Sequence, residues 1–344
     1  MRWFGAVGAV LGAFVVAGLI VAPSIIAARP FGDPRATIVQ AALHTSSTPK
    51  PDPKLVREHF RLENGHGINF TPNARNYAAR TNPTSPLLLF LPATRERPSN
   101  YQAFLSVARA RGFHVLALDY WNDGKSVEMT CGTNAACYTE MQQNRLDGTD
   151  PNQFSAVDPQ NSIVDRLTAA INYLDAADPR GGWARFATPQ GIDWSDIVVA
   201  GHSQGGGESA YIAHIHRVLG VLMFSSPVDS DQGVDASWMG TPGATPASRM
   251  YGFDDTGDIF AARIRASWND IGLSAFGKPQ NVEFGHLGSS HELISTVHLG
   301  TAMQSHSWDI TDETPRTPSG HPIFENVWKW MLDQVWSPKP IATS

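Results

Sequence analysis

Gly201-His202-Ser203-Gln204-Gly205 sets one serine between two glycines, the Gly-x-Ser-x-Gly spacing of an activated hydroxyl. The run follows Asp196-Ile197-Val198-Val199-Ala200, which reads as a buried strand. It opens a segment carrying Ala210, Ile212 and Ala213, which reads as a helix. A strand that turns straight into a helix strains the backbone of its hinge residue, and side chains at 201 and 205 would collide with their neighbours. Such a turn sets the Ser203 hydroxyl at the helix N-terminus and lets the Gln204 N–H face a developing oxyanion. The structural alternative is a glycine-rich turn that merely closes a βα unit.

A serine hydroxyl at neutral pH is a weak nucleophile and needs a base, and the base needs an orienting acid. On a turn of this kind the chain order is serine, acid, histidine. The strand at 249–253 is followed by Asp254, Asp255 and Asp258. Asp258 is preferred because a residue a few positions past the strand can curl back towards the site. Asp254 and Asp255 are the alternatives, and Asp229, after the preceding strand, is a further candidate. Five histidines follow in order: His286, His291, His298, His306 and His321. His306 is preferred if the last strand covers 292–297, and His291 if it covers 280–284. The second oxyanion donor belongs to the loop after the first strong strand, Pro92-Ala93-Thr94-Arg95; the Thr94 N–H is preferred, then that of Ala93.

These residues need a frame. Leu87-Leu88-Leu89-Phe90-Leu91 is continuously apolar, as in a strand buried on both faces. A helix is expected over 99–111, with Ser99 as its cap and Phe104, Val107 and Ala108 as its stripe. Further strands are expected at 113–118, 221–224 and 249–253 and within 280–297, and short irregular edge strands over 57–80. Further helices are expected at 161–175, with Ile163, Leu167, Ala170, Ile171 and Leu174 on one face, at 204–217 and at 322–335, with Pro322 near its first turn. Strands alternating with helices imply an α/β fold with a mostly parallel sheet covered on both faces. Residues 121–160 read as an irregular loop or cap over the site, in which Trp121, Tyr138 and Met141 either line an acyl pocket or pack around a disulfide.

Composition narrows the class. The chain has 344 residues, 42% hydrophobic and 17% charged, with a net charge of −6. That supports a large core and argues against a nucleic-acid partner. Residues 3–28 carry no charge and are long enough to span a bilayer, so 1–28 is either a retained anchor or a cleaved signal peptide. Either places the remainder outside the cytoplasmic membrane, secreted or anchored. Residues 29–53, polar and Pro-rich towards the end, read as a linker, and 54–337 as the folded domain. Cys131 and Cys137 are expected to close a small disulfide loop in an oxidising compartment, two buried thiols being the alternative. No histidine follows them at zinc-like spacing, and His214 and His216, two apart on a helix, face different ways, so no metal and no other cofactor is expected.

Taken together, Leu-Phe-Leu-Pro-Ala-Thr at 89–94, the buried strand, Gly-His-Ser-Gln-Gly, the acid loop, the late histidine and the final helix resemble the α/β-hydrolase superfamily over about residues 55–337. Three segments resemble a little-characterised branch of bacterial and fungal hydrolases: Ala247-Ser248-Arg249-Met250-Tyr251-Gly252-Phe253, Ser305-His306-Ser307, and Asn326-Val327-Trp328-Lys329-Trp330-Met331-Leu332. In that branch an acid follows the Tyr-Gly-Phe strand and a histidine loop ends in an aspartate, positions matched by Asp258, His306 and Asp312. The resemblance implies a hydrolase and names no substrate. The leading expectation is an exported serine esterase acting on a small-molecule or lipid-like ester through an acyl-enzyme. A peptidase or amidase on the same fold and a catalytically inactive binding protein are the alternatives.

Overall fold

The computed structural model describes residues 58–62, 70–284 and 286–337. The apolar run at 3–28 and the linker at 29–53 lie outside the described residues. Among the described residues no helix is long and apolar enough to cross a membrane.

Among the described residues nine strands form one sheet: β1 (Glu58–Phe60), β2 (Asn76–Ala79), β3 (Leu87–Leu91), β4 (His114–Ala117), β5 (Ile197–His202), β6 (Gly220–Phe224), β7 (Met250–Asp255), β8 (Gln280–Asn281) and β9 (Glu292–Ser295). Their spatial order is β1-β2-β4-β3-β5-β6-β7-β9-β8. The pairings of β1 with β2 and of β2 with β4 are antiparallel, and those from β4 onward are parallel. This crossover at β3–β4 and the parallel run after it are the topology of the α/β-hydrolase fold.

Among the described residues eight α-helices pack around the sheet: α1 (Gln102–Ala110), α2 (Val127–Cys131), α3 (Ala135–Asp147), α4 (Ile163–Ala177), α5 (Gln204–Ile215), α6 (Ala261–Asp270), α7 (Ala302–Ser307) and α8 (Glu325–Val335). The central strands are apolar at every position because both faces are covered. Leu87, Leu89 and Leu91 of β3 join the core under α3, α4, α5 and α6, while Leu88 and Phe90 join the core under α1 and α8. The expected stripe of α4 is buried as read, and Ser162 caps the helix by accepting the Asp165 N–H.

Two expectations are corrected. Residues 121–160 are not irregular: they hold α2 and α3. Asn134 caps α3 through the Cys137 N–H, and Gly148, at φ 74°, ends it. Its inward face mixes Tyr138, Met141 and Leu146 with buried Gln142, Asn144 and Arg145, which breaks the apolar period in the sequence. Cys131 and Cys137 are joined in a disulfide that links α2 to α3. Tyr138 and Met141 are buried beside it, the Tyr138 hydroxyl donating to the Gly132 carbonyl at 2.7 Å and the Met141 sulfur lying 3.4 Å from Cys131. They pack around the disulfide, and Trp121 is half-buried.

The second correction concerns the cap of α1. Residues 98–101 form a separate 3₁₀ turn, so Ser99 lies ahead of α1 and does not cap it. The cap comes instead from far along the chain. The Asp312 carboxylate accepts the N–H groups of Gln102 and Ala103 at 2.9 and 2.7 Å. It thereby satisfies two amides the helix leaves open and complements the helix dipole. The Asp312 N–H also donates to the Asn100 carbonyl at 2.7 Å, which ties the segment carrying α7 to α1. Replacing Asp312 with alanine should cost about 1 kcal/mol and lower the melting temperature by about 2–4 °C in scanning calorimetry. An unchanged melt would mean that the carboxylate does not hold the helix end.

Candidate active site

β5 runs to His202 and α5 begins at Gln204, so Ser203 alone makes the turn between strand and helix. It adopts φ 52° and ψ −117°, a region that residues with a side chain rarely occupy. Its N–H is held by the Phe224 carbonyl at 2.9 Å, and its carbonyl accepts the N–H groups of Gly206 and Gly207 at 3.0 Å. A side chain at 201 would strike the Gly205 backbone, and one at 205 would strike the Leu91 carbonyl. Both glycines are thus required by close approach.

The sheet topology brings three distant side chains together. Asp258 follows β7 and His306 sits on α7, a short helix after β9 rather than an open loop. His306 Nε2 lies 2.8 Å from Ser203 Oγ, and Nδ1 lies 2.7 Å from an Asp258 carboxylate oxygen. All three residues are buried, and the Phe260 ring stands edge-on to the imidazole at 5.1 Å. An ionised carboxylate can only accept, so Nδ1 carries the proton, and Nε2 accepts the serine O–H.

Burial pushes the Asp258 carboxyl up, but hydrogen bonds from His306, Asp254 and the Phe260 N–H overcome this and hold it below the ordinary carboxylate range. The Phe260 N–H donates to Asp258 at 2.6 Å. Asp254 shows the reverse. Burial and then the nearby Asp258 charge raise it well above the usual value, against the pull of the Arg265 guanidinium 3.3 Å away.

The alternatives considered for acid and base fall elsewhere. Asp255 folds onto its own loop, accepting the Gly257 and His298 N–H groups at 2.8 and 3.2 Å. Asp229 accepts from Gln142 at 2.6 Å. His291 is stacked between Tyr251 and Phe276 and lies 2.9 Å from the Met250 carbonyl. His298 pairs with Thr256 at 2.9 Å, and His321 with Glu325 at 2.7 Å on the surface. The side chain of His286 is exposed. His214 and His216 pack on Trp238 and Trp194 respectively.

The loop after β3 is clamped on several sides. Asn122 donates to the carbonyls of Ala93 and Glu96 at 2.6 and 2.8 Å, and the Ala93 N–H donates to the Tyr101 hydroxyl at 3.1 Å. The Thr94 hydroxyl donates to the Gln204 side-chain oxygen at 2.9 Å, which seats Thr94 beside the elbow. The backbone N–H groups of Thr94 and Gln204 have no acceptor among the described residues. The Ala93 N–H is already engaged. Tyr101, His202 and Asn122 were not anticipated from sequence, and Asp254 was singled out only as an alternative acid. Of the first three, only His202, inside the pentapeptide, carried a local signal.

No family model and no curated protein matches the chain. Among solved structures it is similar to EstE5 soaked with p-nitrophenyl butyrate, at 14% identity and a TM-score of 0.41, over 90% of this chain and 94% of that one. It is also similar to an S-formylglutathione hydrolase from Agrobacterium tumefaciens, at 15% identity and a TM-score of 0.45, over 81% and 95%. A third is carboxyl esterase 2 from Tuber melanosporum, at 11% and 0.44, over 84% and 90%.

Beneath α5 lies a second buried charge cluster. Glu208 and Arg145 approach to 3.3 Å, and burial pushes Glu208 up to about 8 despite its partner. Burial likewise pushes Asp229 up to about 7 from 3.8. Between those two values the folded chain holds a proton on Asp229 that the unfolded chain has lost, so this group makes stability fall as pH rises from 3.8 to about 7. Asp229→Asn should flatten that part of the curve of melting temperature against pH. Equal slopes in wild type and variant would contradict the assignment.

Proposed function

We propose that the chain is a serine hydrolase that cleaves a carboxylic ester through Ser203, His306 and Asp258. The observation that carries this reading is the placement of one imidazole between a hydroxyl and an ionised carboxylate, at 2.8 and 2.7 Å. His306 Nε2 takes the Ser203 proton as Oγ bonds to the ester carbonyl carbon. Asp258 keeps Nδ1 protonated and stabilises the imidazolium that forms. The negative charge that develops on the carbonyl oxygen falls to the Thr94 and Gln204 N–H groups and the N-terminal dipole of α5. As the tetrahedral intermediate collapses, the ester C–O bond breaks and Nε2 returns its proton to the leaving alkoxide. An acyl-serine remains. His306 then deprotonates a water that attacks the acyl carbon, and the acid leaves as Ser203 recovers its proton.

The substrate class is a small-molecule or lipid-like ester. The disulfide between Cys131 and Cys137 favours an oxidising location outside the cytoplasmic membrane, in keeping with the apolar run at 3–28 as signal or anchor. Turnover of p-nitrophenyl esters of graded chain length should exceed that of aminoacyl p-nitroanilides. Ser203→Ala should lower kcat roughly 10⁴-fold or more. A variant that keeps most of its esterase activity, or a wild type that prefers the anilides, contradicts the reading.

A further inference from the structure

His202 takes no part in that mechanism, yet both of its ring nitrogens are engaged in the interior. Nε2 lies 2.9 Å from the His306 carbonyl oxygen, and Nδ1 lies 2.9 Å from the Tyr101 hydroxyl. That hydroxyl is the one that accepts the Ala93 N–H at 3.1 Å. His202 and Tyr101 are almost wholly buried, at 1% and 0% exposure, so water cannot replace any of these contacts.

Every proton in this chain is determined. A carbonyl oxygen only accepts, so Nε2 carries the proton and Nδ1 offers a lone pair. Tyr101 must then donate its O–H to Nδ1, and its oxygen receives the Ala93 N–H. Burial lowers His202 to about 3 and raises Tyr101 well above its usual value. Neither group changes charge in the range where esterases work, so the chain transmits position rather than protons.

Its two ends matter. Ala93 directly precedes Thr94, whose N–H is the proposed oxyanion donor. The His306 carbonyl is in the last turn of α7, among those a helix leaves unpaired at its end. The centre of the chain is the residue immediately before Ser203. We propose that Tyr101 and His202 are positioning residues that lock the oxyanion loop and the imidazole of His306 to the serine turn as one rigid body. This inference rests on the hydrolase reading above and adds to it two residues that touch no substrate.

The test compares Tyr101→Phe, His202→Asn and the double variant with wild type, at a temperature where melts show each folded. Three quantities are read with a p-nitrophenyl ester: kcat, KM, and the inhibition constant of an alkyl boronic acid that mimics the tetrahedral state. Each single variant should lower kcat about 10- to 100-fold, as displaced catalytic groups do, with KM within about twofold. Boronate affinity should fall by a similar factor, because the loss lies in the transition state. The double variant should be no slower than the slower single one, as expected of residues acting as a unit. The loss should be the same at about pH 6 and about pH 9, since nothing in the chain titrates between them.

A purely structural pair would lower the melting temperature and leave kcat of the folded enzyme near wild type. That outcome overturns the proposal, as do losses that multiply in the double variant. If Tyr101→Phe does not fold, His202→Asn decides on kcat and boronate affinity alone. A wild type without esterase activity sinks the hydrolase reading itself. An active wild type with an indifferent Tyr101→Phe sinks only the positioning role.

Discussion

A single residue separates strand from helix at the centre of this molecule, and that leaves its backbone no relaxed option. Ser203 is held at φ 52° by the Phe224 carbonyl on one side and by two α5 amides on the other. The strain is sustained because β5 lies between β3 and β6 and is buried along its whole length. In return the hydroxyl stands clear of the strand, at the positive end of α5, where no neighbouring side chain at 201 or 205 can crowd it. The tight approach of Gly205 to the end of β3 also brings the 92–97 loop against the elbow. The site therefore inherits its geometry from sheet packing more than from its own hydrogen bonds.

Charge at the site is managed by inequality. Asp254 and Asp258 are neighbouring carboxyls, and only one can be ionised at modest cost. Burial pushes the carboxyl of Asp254 well above the ordinary range, while hydrogen bonds hold that of Asp258 below it. Asp309, fully buried and held by the Ser225 hydroxyl at 3.0 Å, is raised in the same way by burial. Of these acids it is Asp258, the one held low, that faces His306 Nδ1. Separation of the roles of similar groups by environment is the usual signature of a site built for proton transfer.

How far this was legible in the sequence differs from part to part. Uninterrupted apolar runs such as 87–91 and 197–200 announce strands buried on both faces, because no polar side chain can be tolerated there. The elbow is visible because steric exclusion demands glycine at fixed offsets. Chain order and the expected strand ends favour Asp258 and His306 but leave Asp254, Asp255 and His291 open. Helix α3 escaped because its inward face uses Gln142, Asn144 and Arg145, which only tertiary partners such as Glu208 make tolerable. The cap of α1 escaped for a related reason: Asp312 lies more than two hundred positions from the amides it holds. Tyr101 and His202 belong to the same category, since their roles exist only once distant segments meet.

The central claim is that Ser203 is an activated nucleophile, which covalent capture tests most directly. Purified protein would be treated with a fluorophosphonate probe at neutral pH, weighed intact and mapped by peptide mass spectrometry. One adduct per chain is expected, on the peptide containing Ser203, absent from Ser203→Ala and formed far more slowly in His306→Ala. No adduct on the folded wild type, or an adduct on another residue, would contradict it.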